Sequence, residues 1–178
     1  YYEETYTTWG NGGDNGYITF GAVISNQWTP YHIPAAQLGG PAIAGAWFDG
    51  RFWRSRNPNA AVYYEYHGTT PNHNVVVTYQ DQGHWYPSVY QCPGAQAANA
   101  LTWQIIIEEA TGNIILQYKD TQGGYPTDNE WLTSGTQGKP GGTLTGLEYV
   151  YRQSPSAVQP NTAVLFTPPP PLRNDLRL

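Results

Sequence analysis

The chain has 178 residues, enough for one domain with a sizeable core, and a net charge of −5 from 8 Lys+Arg against 13 Asp+Glu. That balance argues against nucleic acid or an anionic membrane surface as the main partner, because both select basic patches. Charged residues make up 12% and aromatic residues 15% of the chain, so its surface is built largely from Asn, Gln, Thr, Ser, Gly and Tyr, as in secreted and cell-surface β proteins.

The chain contains no Met and opens Tyr1-Tyr2, which reads as a processed chain or an excised fragment. No apolar stretch approaches the roughly 20 residues that span a bilayer, so no membrane insertion of this segment is expected. Cys92 is the only cysteine; no internal disulfide is available, and the thiol reads either as inert or as a site of intermolecular pairing.

In chain order, residues 1–9 alternate polar and aromatic side chains and read as an extended edge strand, within an N-terminal segment 1–13. Strand signals then recur over 17–21, 42–48, 61–67, 74–80, 101–108, 113–119, 144–151 and 163–167. They are separated by Gly, Pro and Asn clusters, the punctuation of an all-β domain. The stretch 101–120 is the most informative: two runs rich in β-branched and aromatic residues flank Thr111-Gly112-Asn113, the pattern of a long antiparallel hairpin. Thr69-Thr70-Pro71-Asn72 reads as a second hairpin loop. About eight strands in one domain, 1–167, suit a two-layer antiparallel sandwich of jelly-roll character. Helical periodicity is almost absent; 95–100 alone has helix-forming composition. Two long connectors, 82–99 and 121–143, read as loops, the second Gly-rich but tacked down by Tyr125 and Trp131. Residues 168–171 form a polyproline II spacer ahead of a polar tail, 172–178, which frays unless its own domain or a neighbouring subunit holds it.

These strands resemble nidogen-like extracellular domains. Asp14-Asn15-Gly16-Tyr17-Ile18-Thr19-Phe20-Gly21 is similar to the opening "S-N-G-y-I-x-F-G" strand, and Ile43-Ala44-Gly45-Ala46-Trp47-Phe48-Asp49 to "I-A-P-F-W-D-D". Val62-Tyr63-Tyr64 resembles "V-Y-Y", and the stretch 75–79 the strand that often reads "V-x-W". Trp103–Ile107 with Gly112–Tyr118 is similar to "F-Q-V-I-L-y-x-x-G-x-I-x-F-Q-Y", Thr145-Gly146-Leu147-Glu148 to "t-v-G-I-E", and Ala163-Val164-Leu165-Phe166 to the final strand. The order holds across about residues 14–166. The chain departs at Gly45-Ala46, at Gly50 and at Tyr79, and lacks the cysteines of animal members, as a distant, prokaryotic-type version would. The resemblance implies an extracellular, non-catalytic β module of adhesion, matrix and surface proteins.

The chemistry-bearing residues give no catalytic assignment. Glu108 and Glu109 are adjacent, so strand alternation sends them to opposite faces and no acid–base pair forms between them. His67 and His73 flank a hairpin loop, near enough in sequence to be weighed as metal ligands, but no HxH or HExxH spacing supports them. Asp14 and Asn15, in the run Asn11–Gly16, offer clustered oxygens for calcium, as do Asp128, Asn129 and Glu130; turn chemistry ahead of a strand calls for the same residues. No other cofactor is indicated.

The aromatic residues Tyr2, Tyr6, Trp9, Trp28, Trp53, Trp85, Tyr86, Tyr125 and Trp131 fall in the terminal segment, loops and strand ends. Such residues stack on sugar rings, plug loops onto a core or line protein interfaces. The expected function is therefore a non-catalytic secreted or cell-surface structural and adhesion module. It self-associates into homo-oligomers or filaments, or binds other extracellular proteins, through its terminal segments and Tyr/Trp-rich surfaces. The alternative is a carbohydrate-binding module of a larger secreted protein.

Overall fold

The computed structural model describes residues 4–21, 26–55, 57–85, 100–121, 131–153 and 157–169. Among them lie eleven strands: β1 (Trp9–Asn11), β2 (Tyr17–Phe20), β3 (Ala42–Trp47), β4 (Gly50–Arg51), β5 (Ala61–His67), β6 (Asn74–His84), β7 (Leu101–Glu108), β8 (Ile114–Asp120), β9 (Thr133–Gly138), β10 (Thr145–Tyr151) and β11 (Thr162–Phe166). One sheet runs β1-β2-β3-β9-β10. The other runs β11-β8-β7-β6-β4, with β5 also paired to β6. Every pairing is antiparallel, giving the two-layer sandwich expected from the strand pattern.

Alternation explains the layering. Val77, Tyr79, Trp103, Ile105, Leu116 and Tyr118 point inward from the second sheet and meet Ile18, Ile43, Ala46 and Phe48 of the first. Trp103 sits at the centre. Its ring stacks on Tyr79 at 4.1 Å and 9°, and its Nε1 donates to Gln82 Oε1 at 2.7 Å. Opposite lies Gly45, where a Cβ would come within 1.9 Å of the indole. Gln82 reaches the interior because β6 is bulged between Tyr79 and Gln82, with Asp81 at φ 54; a bulge re-aims the side chain that follows it.

The outer face of the first sheet is covered by residues 27–41. Ile33, Ala35 and Leu38 pack on Tyr17, Ala42, Ala44 and Trp47 as a second small core. Gln137, fully buried, ties this cover down: Ala35 N donates to its Oε1 at 2.7 Å, and its Nε2 donates to Ala35 O and Gly40 O.

Three expectations are corrected. The stretch 121–143 is not one long loop, because Thr133–Gly138 is a central, fully buried strand between β3 and β10. The connector after β6 begins later than residue 82, since β6 runs through His84. The N-terminal strand is Trp9–Asn11 rather than residues 1–9. Cys92, Asp128, Asn129, Glu130, the helix-forming residues 95–99 and the tail from residue 170 lie outside the described residues.

Candidate functional site

The strand directions define two poles. At one pole, β5 turns into β6 and β7 into β8; at the other, β3 ends, β9 begins, and β6 and β10 terminate. Trp53, Trp85 and Trp131, three of the tryptophans marked from sequence, gather at the second pole, and each of them meets an arginine. Arg51 lies between Trp53 and Trp85, its guanidinium carbon 4.4 Å from each ring centroid. Trp53 Nε1 donates to His84 O at 2.8 Å, and Trp85 N to Asp49 O at 3.0 Å, so β4 and the end of β6 fix the sandwich. Arg152 lies 5.0 Å over Trp131 and 5.4 Å from Tyr151.

Arg152 holds an uncommon backbone conformation, φ 41, with one terminal nitrogen donating to Pro30 O at 3.2 Å. Its buried Nε has no hydrogen-bond partner. Strained, under-satisfied residues of this kind cluster at functional sites. Beside it, His32 stacks on Tyr151 at 3.7 Å and faces the Glu148 carboxylate at 3.0 Å. Trp28 and Trp131 remain more than half exposed.

Asp14 and Asn15 lie at this same pole, and each has a structural task. Asn15 Oδ1 accepts from Gly50 N at 3.2 Å, and Asp14 O accepts from Gln82 Nε2 at 2.6 Å. Burial raises the Asp14 carboxyl, opposed by hydrogen bonds from backbone N–H groups and by Arg51. Burial and the Asp14 charge raise Asp49. Burial lowers His84. Among the described residues, no three His, Cys, Asp or Glu side chains converge as a metal-binding group.

Tyr6 and Trp9 take a different place. Trp9 closes the side of the sandwich between β1 and β5: it packs edge-on to Tyr64 at 5.7 Å, and its Nε1 donates to Tyr66 OH at 3.3 Å. Tyr6 packs on Phe20 at 5.4 Å. Tyr2, Tyr86 and Tyr125 lie outside the described residues.

The remaining charged candidates separate. Glu108 accepts from Thr111 Oγ1 and Asn113 Nδ2 inside its own turn, and these bonds lower its pKa. Glu109 accepts from His73 N at 3.1 Å. His67 pairs with Glu65 and His73 with Glu109, so the two imidazoles face different carboxylates.

The outer face of the second sheet was not singled out from sequence. Register aligns Glu65, Val76, Ile106, Ile115 and Leu165 in one row across five strands. The adjoining row is Tyr63, Thr78, Gln104, Gln117 and Ala163. Leu165 in the first row is 56% exposed and Tyr63 in the second 45%, so both rows reach solvent. Beside it Thr78, Gln104, Gln117, Lys119 and Asn161 border an open cleft of about 690 Å³. A sequence signal existed in the unbroken run Ile105-Ile106-Ile107, too apolar for a strand with one solvated face.

No helix among the described residues is long and apolar enough to cross a membrane. No curated protein and no solved structure matches the chain. The NIDO-related family profile matches residues 1–171, nearly the whole chain, in keeping with the nidogen-like order of strands; this is an extracellular type of β domain. The chain therefore belongs to the NIDO-related family.

Proposed function

We propose that this domain is a non-catalytic, secreted or cell-surface structural and adhesion module that works by associating with copies of itself or with other extracellular proteins. One observation carries the reading. The outer face of the first sheet is sealed by residues 27–41, whereas no described residues form such a cover over the row Val76–Ile106–Ile115–Leu165. Contiguous apolar surface with a polar border is the signature of a protein interface. Ile106→Lys or Ile115→Lys places a charge in the row without opening the core, because both side chains point away from it. Association, followed by sedimentation velocity, is expected to weaken at least tenfold while the circular dichroism spectrum is unchanged. Unaltered association in both variants excludes this face.

A second reading rests on the arginine–tryptophan pole. An indole half-open to solvent beside a guanidinium that meets no carboxylate among the described residues suits an acidic sugar, whose ring stacks on Trp131 while its carboxylate meets Arg152. Trp131→Ala is expected to abolish retention on an immobilised polyuronate column. Equal retention of Trp131→Ala and the parent removes this reading.

A further inference from the structure

The two sides of the sandwich are closed differently. Between β1 and β5, Trp9 fills the gap against Tyr64 and Tyr66. Between β10 and β11, Val158 and the partly buried Ala157 and Phe166 pack against the core and Tyr149 OH donates to Ala157 O at 3.0 Å, but nothing comparable to Trp9 covers Leu147 among the described residues. Leu147 pairs with Thr136, one residue from Gly135 and Gln137, whose positions face the loop cover. It therefore points into the gap between the sheets, yet it is 56% exposed. Tyr149 is 38% exposed, and Val164 and Phe166 are half-buried on the facing edge.

The edge itself is also open. β11 pairs with β8 over five residues without a bulge, its other side has no strand partner among the described residues, and its sequence TAVLF carries no charge or proline. Exposed edges are ordinarily blunted by charges, bulges or brevity. The other edges have such devices: β1 is three residues long and β4 two, β10 is bulged after Glu148, and β5 carries Glu65 and His67. An unprotected edge beside an apolar gap is an acceptor for one more strand.

The chain's own sequence contains the matching donor. Residues 172–178 read Leu-Arg-Asn-Asp-Leu-Arg-Leu. Period two places Leu172, Asn174, Leu176 and Leu178 on one face, three leucines and one small amide, and Arg173, Asp175 and Arg177 on the other. Two arginines to one aspartate make this segment cationic on a chain of net charge −5. Prolines 168–171 precede it; Pro168 lies against Gly112 in the β7–β8 turn, so the chain leaves the sandwich at that pole. Four successive prolines fix φ and lack N–H groups, which works against a tight hairpin back onto β11; in polyproline II form they would span roughly 12 Å.

We propose that residues 172–178 add as a strand to the β11 edge of a second copy, with the three leucines entering the gap beside Leu147 and Tyr149 and the arginines facing solvent. The contact is heterologous, donor on one surface and acceptor on another, so it builds rings or filaments, or a closed pair where two copies exchange tails reciprocally. This inference rests on the self-association reading and adds, beside the outer-face row, a second contact surface at the β11 edge.

The test uses the full chain, a chain ending at Pro171, and a fluorescent peptide of residues 172–178. The peptide is expected to bind the shortened chain saturably. A peptide of the same composition with the alternation broken binds at least tenfold more weakly, and so does the parent peptide on Leu147→Lys. Leu176→Lys in the peptide produces the same loss without touching the domain, which covers the case of a misfolded Leu147→Lys. The full chain sediments as larger species that the shortened chain does not form. Absence of saturable binding, or equal binding of both peptides, overturns the proposal. So does a full chain that stays monomeric at every concentration while the peptide binds the shortened chain, since the tail then pairs within its own molecule. If the peptide fails but Ile106→Lys still disrupts association, the strand exchange falls and the self-association reading stands.

Discussion

Trp103→Ala is expected to be the most damaging single truncation in the core. The indole is 1% exposed, stacked on Tyr79 and seated on the backbone at Gly45. Large-to-small changes at such positions cost about 3–5 kcal/mol, because the cavity collapses only partly. The loss includes Gln82 Oε1, fully buried and deprived of its 2.7 Å donor. For a chain of this size each kcal/mol lowers Tm by about 2–4 °C, so a fall of roughly 10–15 °C is anticipated in a thermal scan. Trp103→Phe keeps the stacked ring but strands the same acceptor, and about 1–3 kcal/mol is expected for it. Urea midpoints at constant slope provide the check. A loss below about 1 kcal/mol for Trp103→Ala contradicts the central placement of this ring.

Gly16→Ala is expected to match it by a different mechanism. Gly16 has φ +80, and a Cβ there would sit 1.8 Å from Ala46 O, a backbone atom that has nowhere to move. Gly16 O also accepts from Gly45 N at 3.2 Å and Ala46 N at 3.3 Å, so the residue anchors the irregular part of β3. The left-handed conformation costs about 1–2 kcal/mol with a Cβ, and overpacking adds about 1–3 kcal/mol. The comparison is Gly141→Ala, also at positive φ (+59) but with nothing within 4 Å. There the conformational cost stands alone. Guanidinium unfolding of both variants is expected to separate them by at least about 1 kcal/mol, and equal losses refute the steric argument.

Sequence alone located the strands whose own side chains make the core. β5 and β7 match their expected bounds, and β8 is displaced by one residue, because Val, Ile and aromatic alternation directly records which face is buried. β9 escaped for the complementary reason. Its residues, Thr-Ser-Gly-Thr-Gln-Gly, have no apolar bulk, and the hydrophobic cover above them comes from Ile33, Ala35 and Leu38, a hundred residues earlier. Gly135 and Gly146 are small where Ile33 presses on them. The departure Gly45-Ala46 from the nidogen-like pattern has a similar cause, since the Trp103 indole occupies the space of any side chain at 45. At the aromatic pole the tryptophans were visible as loop residues, but Arg51 and Arg152 were not. Each arginine meets its ring across a pairing that only the register reveals, Arg51 beside Gly83 and Tyr151 beside Thr133.

The two outermost strands of the chain order have a mechanical consequence. β1 begins, and β11 finishes, at the pole of the hairpin turns: Trp9 pairs with Phe20, and Phe166 with Ile114. A pull transmitted through both neighbouring stretches of chain therefore loads the hydrogen bonds of each edge one rung at a time instead of all together. Under tension the molecule peels from a single pole. The three-residue β1 gives way first and draws Trp9 out of its gap, while the arginine–tryptophan pole bears load last.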